Sequence, residues 1–224
     1  IFKIKEDFEK AKNVYKKASE INPHHSQTYL NLLYILKKMK KIDEMILECR
    51  KFIQLNPHDA NLLNNYANGL QELHKYKEAE ANYKKALNLD PNLTDIHVNY
   101  GNLLQLLERN EEAKEILTKA IKINPQHVLA YNNLGNIFRK LCQPEKAQEA
   151  FETVIKLDPK FAAAYCNLGH LFYSNNQYEI AIQNYNKALN LSDKLENLTG
   201  ALLFSQAKLC DWTDRAINIK KMML

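Results

Sequence analysis

Five prolines, Pro23, Pro57, Pro91, Pro125 and Pro159, follow one another at intervals of 34 residues, each directly after "IN", "LN" or "LD". A proline cannot continue a helix, because it lacks the N–H and its ring clashes with the preceding turn. At a fixed period it marks one recurring stop, and so a recurring unit. A chain built this way folds as stacked copies of a small element rather than around one central core. With this proline as position 32, full repeats run 26–59, 60–93, 94–127 and 128–161, and a fifth, 162–195, has Asp193 in the proline slot. Residues 1–25 supply the second helix of a partial repeat, and 196–224 a terminal half-repeat and a junction helix leading to a further C-terminal domain.

The columns of the repeat read as two antiparallel helices. Position 7 (Leu32, Tyr66, Tyr100, Leu134, Leu168) and position 11 (Leu36, Leu70, Leu104, Phe138, Phe172) make an apolar stripe four residues apart on the first helix. Position 8 is Ala67, Gly101, Gly135 and Gly169. Glycine there costs about 1 kcal/mol of helix stability relative to alanine, so close packing must outweigh that cost. On the second helix, Ala79, Ala113, Ala147 and Ala181 at position 20 and Ala86, Ala120 and Ala188 at position 27 alternate with large residues at position 24. Pro144 falls at the start of a second helix, where a missing N–H is no loss.

These columns resemble the tetratricopeptide (TPR) repeat over residues 1 to about 209. The resemblance implies an all-α fold, a right-handed α-solenoid of helix pairs whose first helices line a concave groove. The repeat 26–59 departs most, with Leu33, Met45 and Phe52 in the small-residue columns.

Several function classes are excluded by composition. The net charge of +5 is spread along the chain, and the one dense basic cluster, "KKMKK" at Lys37 to Lys41, has no base-stacking aromatics beside it, so no nucleic-acid partner is expected. No stretch approaches the roughly 20 apolar residues of a membrane helix. Four cysteines without C-x-x-C spacing point to a reducing compartment, cytoplasmic or nuclear. The sequons at Asn92, Asn190 and Asn197 are then incidental in a chain with 26 asparagines. The seven histidines include no metal-ligand spacing, and the five glycines form no phosphate loop. Neither a metal site, nor a cofactor site, nor a catalytic constellation is expected, and His97 reads as a core residue.

What repeats instead is asparagine. Position 6 is Asn31, Asn65, Asn99, Asn133 and Asn167, and position 9 adds Asn68, Asn102 and Asn136. A carboxamide offers donors and an acceptor that match any peptide backbone. These eight residues are therefore the candidate peptide-binding set, reading an extended protein segment along the groove. The bland alternative is an amide bonded to a neighbouring repeat or to water.

Past the last half-repeat the vocabulary changes. Asp211 is a good N-cap, and Trp212, Ala216, Ile219 and Met223 recur at near-helical spacing. "LCDWTD" followed by "KK", together with "AAYCNLGH" at Ala163 to His170, resembles the junction and late repeats of O-linked N-acetylglucosamine transferases. That resemblance implies protein substrates held by the asparagine column and Asp211 and Trp212 at a domain junction. It also implies a C-terminal glycosyltransferase domain that takes UDP-GlcNAc as donor. The aspartates that this family carries at position 2 are here Gln27, Asn61, Asp95, Leu129 and Ala163, so its substrate preference does not carry over. The alternatives are a free-standing TPR adaptor and the TPR region of a related O-fucosyltransferase. A co-chaperone clamp would need lysine or arginine at positions 2 and 6, which hold neither. The chain itself is expected to be a monomer or weak homodimer.

Overall fold

The computed structural model describes residues 2–192 and 198–209. Among the described residues there are twelve helices and no strand. The chain divides into two compact units, 1–107 and 108–224. The first holds α1 (Phe2–Ile21), α2 (Ser26–Lys38), α3 (Ile42–Leu55), α4 (Ala60–Glu72), α5 (Tyr76–Leu89) and α6 (Thr94–Leu106). The second holds α7 (Asn110–Ile123), α8 (Val128–Lys140), α9 (Pro144–Leu157), α10 (Ala162–Ser174), α11 (Tyr178–Leu191) and α12 (Leu198–Lys208). Pro144 sits at the first turn of α9. The Asp211–Trp212 junction lies outside the described residues.

Each periodic stop has a local mechanism. The residue before the proline leaves the helical region, with φ of −134° at Asn56, −139° at Asp90, −130° at Asn124 and −139° at Asp158, as the clash with the proline ring requires. The side chains of Asp90, Asn124 and Asp158 then accept from the N–H two residues on, at 3.0 Å in each case. That Asx turn is why asparagine or aspartate precedes the proline.

The turn between the two helices of a repeat shows a feature the columns hide. Lys40, His74, Glu108, Cys142 and Asn176, again 34 apart, all have positive φ, at 57°, 59°, 60°, 55° and 59°. Lys40, His74, Cys142 and Asn176 each follow a helix whose end is closed by a backbone bond spanning five residues, such as Lys41 N–H to Leu36 C=O and Gln143 N–H to Phe138 C=O, both 2.9 Å. This is the Schellman geometry that ordinarily recruits glycine. A left-handed backbone costs a side-chain-bearing residue about 1–2 kcal/mol, and glycine's greater entropy returns part of that. Lys40→Gly and Cys142→Gly are therefore expected to stabilise by about 0.5–1 kcal/mol each, read as raised melting temperatures. Asn176→Gly should change little, because asparagine already tolerates this conformation.

Packing follows the columns. In the first unit, Tyr29, Leu32, Leu33, Leu36, Met45, Cys49 and Phe52 form one buried cluster. The oversized Met45 is accommodated because the next repeat presents Gly69, where a side chain would run into the Met45 methyl and Ile46. In the second unit, Phe151 packs with Ala147, Leu168 and Leu171, and Tyr185 with Ala181, Ala188, Leu198 and Leu202. His97 is buried. The Lys37 to Lys41 cluster caps the end of α2, with Lys37 beside Glu72 and Lys41 beside Glu9. No helix among the described residues is long and apolar enough to cross a membrane.

Candidate functional site

The position 6 asparagines all lie half-buried on the first helix of their repeats. Their partners differ. In the first unit, Asn31 accepts from Gln27 Nε2 at 3.0 Å and Asn65 donates to the backbone oxygen of Asn61, one turn earlier, at 2.9 Å. Asn99 instead reaches across to the preceding repeat and donates to Asn64 Oδ1 at 3.1 Å. In the second unit Asn167 does the same, donating to Asn132 Oδ1 at 2.9 Å, while Asn133 accepts from the adjacent Asn132 at 3.4 Å.

The acceptors Asn64 and Asn132 belong to position 5, where Leu30, Val98 and Cys166 stand in the other repeats. They are 8% and 9% exposed, and a buried amide needs a partner. Position 6 supplies it wherever position 5 of the preceding repeat is asparagine. The only sequence signal was that coincidence of Asn64 with Asn99 and Asn132 with Asn167, 35 residues apart.

Position 9 is tied inward. Tyr83 donates to Asn68 Oδ1 at 2.5 Å, and Tyr185 meets His170 Nδ1 at 2.9 Å, so a tyrosine at position 24 locks onto position 9 of its own repeat. In repeat 128–161 position 24 is Phe151, which has no hydroxyl, and the Oδ1 of Asn136 is buried without a partner. Phe151→Tyr is therefore expected to stabilise the repeat by about 1 kcal/mol, and Tyr83→Phe to cost about 1–3 kcal/mol by orphaning Asn68. Chemical denaturation of both variants checks the pair of signs.

His170 also lies 3.4 Å from Cys166 Sγ through Nε2. The arrangement looks like a thiol–imidazole pair, but its electrostatics are wrong for a nucleophile. Burial pushes the Cys166 thiol up against the opposing field of Arg139, and burial, with Arg139, pulls His170 down. Both groups are held neutral, whereas nucleophilic chemistry needs a thiolate. Burial likewise raises Tyr185, which stays a phenol. A histidine whose pKa is lowered on folding binds protons more readily unfolded. Its contribution to stability is present above the unfolded value near 6.5 and is lost as pH falls from there toward the folded pKa. Melting temperature should thus fall with acidification through that window. His170→Asn, which keeps an acceptor for Tyr185, should flatten the dependence.

Cys49 is buried and its thiol pushed up to about 12 by burial, with a smaller push from Glu48. Cys49, Cys142 and Cys166 are free thiols. No group of three histidine, cysteine or acidic residues among the described residues could hold a metal ion.

Models of the tetratricopeptide repeat match residues 1–25, 26–59, 70–137, 128–161 and 162–194. A search of curated proteins finds no match. Among solved structures the chain is similar to PilF of Pseudomonas aeruginosa, with a TM-score of 0.76 at 20% identity, over 95% of this chain and 90% of that one. It is also similar to YrrB, a TPR protein with an unusual peptide-binding site, with a TM-score of 0.62 at 22% identity over 86% of this chain and 97% of that one. The Cut9–Hcn1 hetero-tetramer of the APC/C gives a TM-score of 0.83 at 19% identity, over 96% of this chain and 43% of that one. At these identities the likeness concerns the fold. With repeat models covering 1–59 and 70–194 and two helices in each full repeat, the chain belongs to the tetratricopeptide repeat family.

Proposed function

We propose that the chain is a protein-interaction scaffold that holds extended partner segments against the first helices of its repeats through the position 6 asparagines. The observation that carries this reading is the bonding capacity these half-buried amides keep. Asn31 retains both N–H groups, and Asn65, Asn99 and Asn167 each retain one N–H and the Oδ1. Asn64 and Asn132 hold Asn99 and Asn167 in fixed orientation, so less freedom is lost when a peptide binds. Position 9 takes a smaller part, since Asn68 is locked to Tyr83. YrrB supports peptide binding as a capacity of this fold.

Within this reading the chain is an adaptor, and its likeness to TPR proteins such as PilF and YrrB supports that form. The recruiting arm of an O-linked N-acetylglucosamine transferase, or of a related O-fucosyltransferase, is the finer alternative. It is carried by Lys208 to Asp214, of which Asp211 and Trp212 lie outside the described residues. Asn31→Ala combined with Asn65→Ala tests the binding face, because neither side chain bridges repeats. At about 1 kcal/mol per contact, affinity for a panel of unfolded polypeptide segments should drop roughly thirtyfold with melting unchanged. Unchanged affinity would remove the asparagines from the interface.

A further inference from the structure

On the side of the second helices, α3, α4 and α5 enclose an open cleft of about 590 Å³ that contains none of the position 6 asparagines. Its walls are apolar at Ile53, Leu63 and Leu89, and its cations are Arg50 and Lys85. Among the described residues no carboxylate lines it. Arg50 Nε donates to Tyr66 at 2.8 Å, which fixes the guanidinium over the cleft and leaves its remaining N–H groups available.

The following repeat supplies an internal comparison. There Lys84 and Tyr100 occupy the positions of Arg50 and Tyr66. Glu80 pairs with both of them, at 2.8 Å from Lys84 Nζ and 2.9 Å from the Tyr100 hydroxyl. The residue corresponding to Glu80 in the first cleft is Ile46. Lys84 and Tyr100 therefore have a carboxylate partner within their own unit, and Arg50 and Tyr66 do not. Glu78 exerts a weak field on Arg50 but does not line the cleft and forms no ion pair with it. Cations left unpaired beside an apolar floor complement a ligand with an apolar group and negative charge.

We propose that this cleft docks an acidic segment of a partner protein, with an aliphatic side chain seated among Ile53, Leu63 and Leu89 and flanking carboxylates on Arg50 and Lys85. The site is separate from the asparagine face and stands whether or not that face binds peptide. A bidentate carboxylate on Arg50 gives direction, and Lys85 gives charge without strict geometry. Lys84, spent on Glu80, adds nothing.

The test uses the whole chain and a fluorescent peptide, acetylated and amidated, with two central leucines and three glutamates on either side. Anisotropy should show saturable binding that weakens with salt. Arg50→Glu combined with Lys85→Glu should reduce affinity roughly tenfold or more. Both side chains are exposed, so melting should hold, and Arg50→Gln with Lys85→Gln should give a smaller loss in the same direction. Lys84→Gln should leave affinity unchanged. The idea is overturned if the wild-type chain does not bind, or if the charge reversals bind equally well. It is equally overturned if a lysine-for-glutamate peptide binds as tightly, or if serines replace the leucines without loss. A loss confined to the asparagine variants would move the peptide to the first-helix face and overturn the cleft.

Discussion

Asn99→Ala and Asn167→Ala are each expected to destabilise the protein by about 1–3 kcal/mol, although alanine is the better helix former and neither residue is fully buried. The cost arises at the partner. Removing Asn99 leaves Asn64, 8% exposed, with its Oδ1 unpaired, and removing Asn167 does the same to Asn132, 9% exposed. Helix propensity returns less than 1 kcal/mol, so the orphaned amide decides the sign. The reverse truncation should behave differently. Asn64→Val leaves Asn99 half-exposed and able to turn to water, and valine is what the chain itself uses at the same position in Val98. That variant should be nearly neutral, and Asn64→Val with Asn99→Ala should recover most of the loss. Because a repeat array need not unfold in one step, hydrogen exchange in α4 and α6 is the appropriate measurement. Equal melting of Asn99→Ala and Asn65→Ala would show that the cross-repeat bond contributes nothing.

The period was legible because most copies repeat it: the proline stop, the small-residue columns and the apolar stripe each recur at one position. What escaped the sequence does not form a column of one residue type. The left-handed turn recurs at 34-residue intervals, but Lys40, His74, Glu108, Cys142 and Asn176 share no chemistry. The amide bridges join two different columns, and only in alternate repeats, since position 5 reads Leu30, Asn64, Val98, Asn132, Cys166. The inward lock on position 9 likewise depends on whether position 24 is Tyr83 or Phe151. A period reports what all copies must share to stack. Pairings that hold two particular copies together are set by residues that need not recur.

The glycines of position 8 give the other large effect, and the competing terms can be weighed. By helix propensity alone, Gly135→Ala and Gly169→Ala would each stabilise by about 1 kcal/mol. In the structure a Cβ on Gly135 would stand 2.6 Å from Phe151 Cε1 and 2.8 Å from Cδ1, and one on Gly169 would meet the Tyr185 ring as closely. Those rings are fully or almost fully buried, at 0% and 1% exposure, and cannot swing outward. The helices would have to separate, at a typical cost of about 1–3 kcal/mol for overpacking. The alanine variants should therefore be close to neutral or mildly destabilised, since repeat 60–93 already pairs Ala67 with Tyr83. Gly135→Val and Gly169→Val, with two further carbons and the same gap to fill, should lose the full 1–3 kcal/mol or more. The sequence of repeat 94–127 indicates the compensation, for it has Gly101 at position 8 and the smaller Leu117 at position 24. Phe151→Leu added to Gly135→Val should restore part of the loss, although Phe151→Leu alone leaves a cavity and costs stability itself. Denaturation of the four proteins in that cycle should give a favourable coupling between the two changes. Simple addition of the two losses would mean that the ring does not set the size of position 8.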